Sequence, residues 1–226
     1  MARRRLLMLT HSAGFKHDYL PAATDAVKEL GEETGQFDVI AVEDCGAFDW
    51  SRLHDFSAVL FATTGELPMS EEQKRSLIEF VKSGKGFVGV HNAADTFYKF
   101  PEYGEIVGGY FNGHPWTQEV RVVVEDQSHP ATSFLPPKFV VKEEVYTFKD
   151  WSRDKVHVLI SLDNSSVDLG KGTRSDHDYA VCWHHGFGQG RAFYTAFGHF
   201  KEIWGERWFR MHLAQGILWA MGSGGG

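Results

Sequence analysis

The N-terminal part of the chain repeats one pattern. A short, continuous apolar run breaks off into small and polar residues, and an amphipathic helix follows. The run 6–10 leads into a loop around Gly14 and a helix over about 19–33, whose apolar stripe is Ala22, Ala23, Ala26, Val27 and Leu30. Strands follow over 37–42 and 58–63. Ser70 and Gln73 make a capping box for a helix that runs to about 83, where Gly84 stops it. Residues 86–90 are a fourth strand. Short apolar strands alternating with helices predict an α/β fold, a mostly parallel sheet covered on both faces in three layers. Such a sheet takes its ligands outside the carboxyl ends of its strands.

The second half changes character. Apolar runs over 120–125, 139–146, 156–162, 180–184 and 191–197 read as strands, some extending the sheet and others forming hairpins beside it. Pro130, Pro136-Pro137 and the glycines of 186–190 punctuate them. A last helix is expected over about 202–221. A length of 226 residues with 42% hydrophobic content suits a single domain over 1–226, with a core of about 5–221 and a flexible glycine-rich tail at 222–226. The net charge of −7 offers no basic face for nucleic acid. Arg3-Arg4-Arg5 reads as a solvated flank, and the apolar run 6–9 behind it is too short for a signal-peptide core. No run is long enough to span a membrane. Cys45 and Cys182 follow no metal-binding spacing, which fits a reduced, cytoplasmic protein and leaves a disulfide between them open. The expected partner is a small molecule, and a homodimer is the default assembly.

Twelve histidines and an aromatic fraction of 14% direct attention to the strand ends. His91 ends the fourth strand at a tight corner, where α/β enzymes often place a nucleophile. No thiol or hydroxyl stands there, so His91 is a candidate general base, general acid or metal ligand. Asn92, Asp95 and Tyr98 follow it as candidates to hold hydroxyl groups, and Tyr110, His114 and Trp116 as an aromatic and imidazole platform. His199 ends the strand 191–197 and is a candidate acid partner, as is His185. Strand alternation sends His184 and His185 to opposite faces, and pairs Glu144 with Tyr146 but Glu143 with Val145. Glu144 is thus the candidate second base, with Tyr146 as a hydroxyl-binding neighbour. His11 and His17 flank the first strand-to-helix loop, which opens on the same edge as Glu66 and His91. His11, His17, Glu66, His91, His114 and His199 are therefore expected to converge, with His11, His17 and His91 as candidate ligands of a divalent ion such as zinc, manganese or iron. His129 and His157 look structural. The segment 186–190 lacks a following helix, so it reads as a hairpin turn and not a phosphate loop.

The string His91-Asn92-Ala93-Ala94-Asp95-Thr96-Phe97-Tyr98, with Tyr103-Gly104 and Gly108-Gly109-Tyr110-Phe111 through His114-Pro115-Trp116, resembles the ThuA-like, trehalose-utilisation family. So do Glu143-Glu144-Val145-Tyr146-Thr147-Phe148, with Glu143 where that family's segment has Asp, and the closing strand from Ala192 to His199. The resemblance implies the flavodoxin-like fold of class I glutamine amidotransferases, with His91 in the place of their elbow cysteine and His199 resembling their late histidine. Glutaminase activity is therefore not implied. The resemblance implies a role in disaccharide catabolism, alongside dehydrogenases that make 3-keto sugars. An isomerase, hydratase or lyase step on an oxidised sugar would suit a histidine and carboxylate site. The alternatives are a non-catalytic carbohydrate-binding or regulatory domain and a metal-dependent hydrolase.

Overall fold

A computed structural model describes residues 3–222. The expected glycine tail lies outside them, apart from Gly222. The elements in chain order are β1 (Arg4–Leu9), α1 (Leu20–Thr34), β2 (Phe37–Val42), α2 (Trp50–Leu53), β3 (Ala58–Phe61), α3 (Glu71–Lys82) and β4 (Gly86–Val90). Then come α4 (Pro101–Val107), β5 (Tyr110–Phe111), β6 (Trp116–Val124), β7 (Lys138–Val145) and β8 (Phe148–Lys149). The chain closes with β9 (His157–Leu162), β10 (Ala180–Phe187), β11 (Gly190–Thr195) and α5 (Arg207–Ala220). The capping box of Ser70 and Gln73 is present at the head of α3. The helix expected over 202–221 is divided: a 3-10 turn, Lys201–Gly205, precedes α5. Arg4 and Arg5 belong to β1, so the expected flank is part of the sheet, and the Arg5 guanidinium covers the Phe56 ring.

Nine strands form one sheet in the order β2-β1-β3-β4-β11-β10-β9-β6-β7. The first five in that order are mutually parallel. The rest are joined antiparallel, so β7 again runs in the direction of β11. β5 and β8 pair separately. The carboxyl ends of β1, β3, β4, β11 and β7 therefore lie on one edge. β3 and β4 are buried along their whole length, which explains why their sequences are continuous apolar runs. Phe139 of β7, the outermost strand, touches Phe197 and Trp208, so the antiparallel half curls back toward the parallel half. That curl brings the end of β7 to the end of β11. Cys45 and Cys182 are both free and buried. No helix among the described residues is long and apolar enough to cross a membrane.

Candidate active site

The end of β4 is strained where chemistry was expected. His91 has φ +44°, the left-handed region that side chains with a Cβ rarely adopt. It opens a 3-10 turn, His91–Asp95, rather than an α-helix. Tyr194 of β11 donates its hydroxyl to the His91 carbonyl at 2.6 Å and holds the corner. The His91 imidazole is wholly buried, and its Nδ1 lies 2.8 Å from the Ala196 carbonyl oxygen. A carbonyl only accepts, so Nδ1 carries the hydrogen and the lone pair of the neutral ring sits on Nε2.

That lone pair faces two further groups. His91 Nε2 is 3.2 Å from His199 Nδ1 and 3.6 Å from Glu144 Oε2. His199 Nδ1 is itself 3.1 Å from Glu144 Oε2. His17 completes the set, with its ring centroid 5.2 Å from that of His91 and 5.6 Å from that of His199. One ligand atom from each of His17, His91, Glu144 and His199 lies within 4.8 Å of the others. Three imidazoles and a carboxylate are the donor set that zinc, manganese or iron accepts. The hydrogen bond from His91 to a carbonyl is the usual support behind a ligating histidine.

The electrostatics point the same way. Burial would raise the Glu144 carboxyl, but hydrogen bonds from His199 and His91 outweigh it and hold it well below the usual carboxylate range. The same hydrogen bond, against burial, raises the His199 imidazole. Burial, with repulsion from His91 and His199, pushes His17 down to about 4. Burial raises Glu143, opposed by His91 and by main-chain hydrogen bonds. Glu143 and Glu144 are both buried, and among the described residues neither has a Lys or Arg partner within ion-pair distance. Two buried carboxylates call for a cation. A divalent ion held by neutral imidazoles would balance them.

Glu143 is the site residue that sequence reasoning assigned to the wrong side. Alternation pairs it with Val145 and away from Glu144. In the structure the 198–199 turn lies across the end of β7, and both glutamates take hold of it. Glu143 accepts from Gly198 N at 2.9 Å and His199 N at 3.1 Å, while Glu144 meets the His199 ring. Glu143 Oε1 also accepts from Glu144 N at 3.0 Å. Tyr19 was likewise unforeseen: its hydroxyl donates to Asn92 Oδ1, and its ring stacks on Trp204. Asn92 is wholly buried, with Nδ2 3.3 Å from His17 Nδ1, so it orients a histidine instead of reaching for hydroxyl groups.

The remaining expected residues divide. Tyr146 packs on His91 with centroids 4.2 Å apart, and Phe111 packs on Tyr146 at 4.3 Å. His114 is half exposed, 3.3 Å from Glu144 Oε1, and stacks on Phe111. Tyr98 donates to Asp95 Oδ1 at 2.6 Å. Burial raises Asp95, with that hydrogen bond opposing. Trp116 is not a platform: it is 1% exposed, donates to the Asp168 carbonyl and packs on Tyr179, because β6 begins inside the core. Tyr110 is also buried, with its hydroxyl given to the carbonyls of Phe97 and Phe100. His185 is not brought to the cluster. Its ring nitrogens contact the carbonyls of Ile106 and Gly186, and it lines a separate groove with Tyr98, Tyr110 and Phe187. His184, on the opposite face, stacks on His129. His11 turns away to the Glu43 carbonyl, and Glu66 accepts from Lys99 N. The first loop thus supplies one histidine to the centre, His17, and not two.

Residues 5–220 match the family model described as ThuA, trehalose utilisation. The chain belongs to the ThuA family. That description associates it with sugar metabolism. A ThuA-like protein from Bacteroides uniformis superposes with a TM-score of 0.81 at 23% identity, covering 96% of this chain and 91% of that one. A ThuA-like protein from Parabacteroides merdae gives 0.77 at 20% identity, covering 97% and 90%. A GMP synthase protein from Thermoplasma acidophilum gives 0.58 at 12% identity, covering 96% and 94%. These likenesses show the fold, including its kinship with glutamine amidotransferase-like proteins. No curated protein matches the chain significantly.

Proposed function

We propose that this ThuA protein is a cytoplasmic enzyme of sugar catabolism. On this reading His17, His91, Glu144 and His199 hold a divalent ion, and the substrate is a disaccharide or its 3-keto derivative. The observation that carries the reading is the convergence of those four donors within 4.8 Å around a histidine whose other nitrogen is committed to a carbonyl. A bound divalent ion would supply Lewis acidity toward a carbonyl or hydroxyl oxygen. A keto group acidifies the neighbouring C–H, so the reaction class is proton abstraction, as in an isomerase, hydratase or lyase. With Glu144 and the histidines engaged, proton transfer falls to groups left at the mouth. These are His114, half exposed, and Asp95, whose raised carboxyl is tied to Tyr98. The free cysteines and the absence of a membrane-spanning helix among the described residues support the cytoplasmic placement.

The test is elemental analysis of the wild-type protein and of His91→Ala after incubation with zinc, manganese and iron, followed by mass spectrometry of trehalose and C3-oxidised trehalose. The expected result is about one ion per chain, lost in the variant, and conversion of the oxidised sugar that a chelator abolishes. Cleavage of unoxidised trehalose would make the enzyme a hydrolase. A wild-type protein that retains none of the three ions overturns the metal centre.

A further inference from the structure

The most exposed large apolar side chain among the described residues stands beside the candidate centre. Phe15 is 69% exposed, and its ring meets His17 edge-on with centroids 4.9 Å apart. Water makes such exposure unfavourable, so a Phe displayed at the rim of a polar cluster calls for an occupant. It is not loose. Ala13 N and Gly14 N donate to the Thr64 carbonyl at 2.8 and 3.2 Å, and the buried Thr64 hydroxyl donates to the Phe15 carbonyl at 2.8 Å. Gly65, at φ +77°, lets the two loops approach; a Cβ there would stand 2.7 Å from Gly14 N. The Phe15 main chain is therefore held on both sides while its ring is left bare.

The other side of the centre has its own aromatic wall. His91 packs on Tyr146, Tyr146 on Phe111, and Phe111 on the half-exposed His114. The rings from Phe15 through His17, His91, Tyr146 and Phe111 to His114 form an unbroken series of contacts, exposed at both ends. Its interior is polar: Glu144, His199 and the imidazole nitrogens. A ligand suited to such a site has apolar faces and a polar edge. A pyranose ring has that form, with C–H faces for the aromatic walls and hydroxyl or keto oxygens for the polar floor.

Resting on the sugar reading above, we infer that Phe15 is a substrate-contacting residue that packs against a face of the sugar ring. It sets affinity and takes no part in holding the ion. The probes are trehalose and C3-oxidised trehalose, titrated calorimetrically into wild-type protein, Phe15→Ala and Phe15→Trp, with ion content and thermal unfolding measured on each. Expected are a loss of about tenfold in sugar affinity in Phe15→Ala and recovery in Phe15→Trp. The unfolding temperature and ion content should not change, since the ring packs on little besides His17. Where turnover is measurable, KM rises and kcat holds. Wild-type affinity retained in Phe15→Ala overturns this inference and leaves the sugar reading standing. A wild-type protein with no affinity for either sugar overturns both, and ion content separately reports the state of the centre.

Discussion

Replacing Glu143 with Gln tests whether the buried carboxylate at the end of β7 holds the candidate centre together. Oε1 accepts from His199 N and Glu144 N, and Oε2 from Gly198 N. A glutamine keeps the shape but has one oxygen. In its better orientation the oxygen keeps the two bonds at Oε1, and its amide nitrogen then faces the Gly198 N–H. One charge-assisted hydrogen bond is lost and one buried donor is left unpartnered, which costs about 1.5–3 kcal/mol. Removing the charge offsets part of this in protein without metal, because burial already raises the Glu143 carboxyl. With a divalent ion bound no such offset remains. The larger effect is therefore expected on the loaded protein. Second-sphere changes of this kind weaken metal binding about 10–100-fold. Competition with a chromophoric chelator gives the metal affinity, and urea unfolding with and without metal gives the stability. Glu143→Gln with wild-type metal affinity and an unchanged urea midpoint in the loaded state would refute the reasoning.

Two other perturbations follow from the packing. Gly89→Ala puts a Cβ 2.9 Å from Tyr194 Cδ2, beneath the hydroxyl that holds the His91 carbonyl. Overpacking there should cost about 1–3 kcal/mol, seen as an earlier urea midpoint, and should weaken metal retention as well; an unchanged midpoint would mean the elbow yields freely. Acid should destabilise the fold before the carboxylates titrate. Burial pushes His212 down to about 4, with the Ala131 hydrogen bond opposing. Burial, and then neighbouring histidines, push His184 to about 4 and His129 to about 3. Each is neutral in the folded protein and protonates on unfolding below about 6.5, so its contribution is complete above that pH and declines as pH falls toward 4. His212 alone should cost about 2 kcal/mol at pH 5. His199, raised by Glu144, acts in the opposite sense but is one group against three. Urea midpoints that stay level from pH 7 to pH 5 would show that these histidines do not control acid stability.

Much of the architecture was legible because its signals are local. Continuous apolar runs marked β3 and β4, and the Ser70–Gln73 box marked the head of α3. The abrupt end of β4 at His91 marked the corner, and the same local strings carried the family resemblance. The short elements escaped notice: α4 and the β5–β8 pair are too brief for periodicity to register.

The centre itself is a property of the tertiary structure. Its four donors come from a loop after β1, the end of β4, the end of β7 and the turn after β11, and no spacing in the chain announces them. Sequence placed histidines at strand ends. It had no means of separating His17, which reaches the cluster, from His11, which bonds the Glu43 carbonyl six residues earlier in the same loop. Nor did alternation along β7 decide which glutamate served. That rule describes side chains above a continuing sheet, and β7 ends where another turn crosses it. Glu143 and Glu144 both act there because Gly198 and His199 arrive from more than fifty residues away. Local pattern set the strands and their polarity. The curl of the antiparallel half chose which residues meet at their ends, since only the packed sheet determines how far its last strand returns toward its middle.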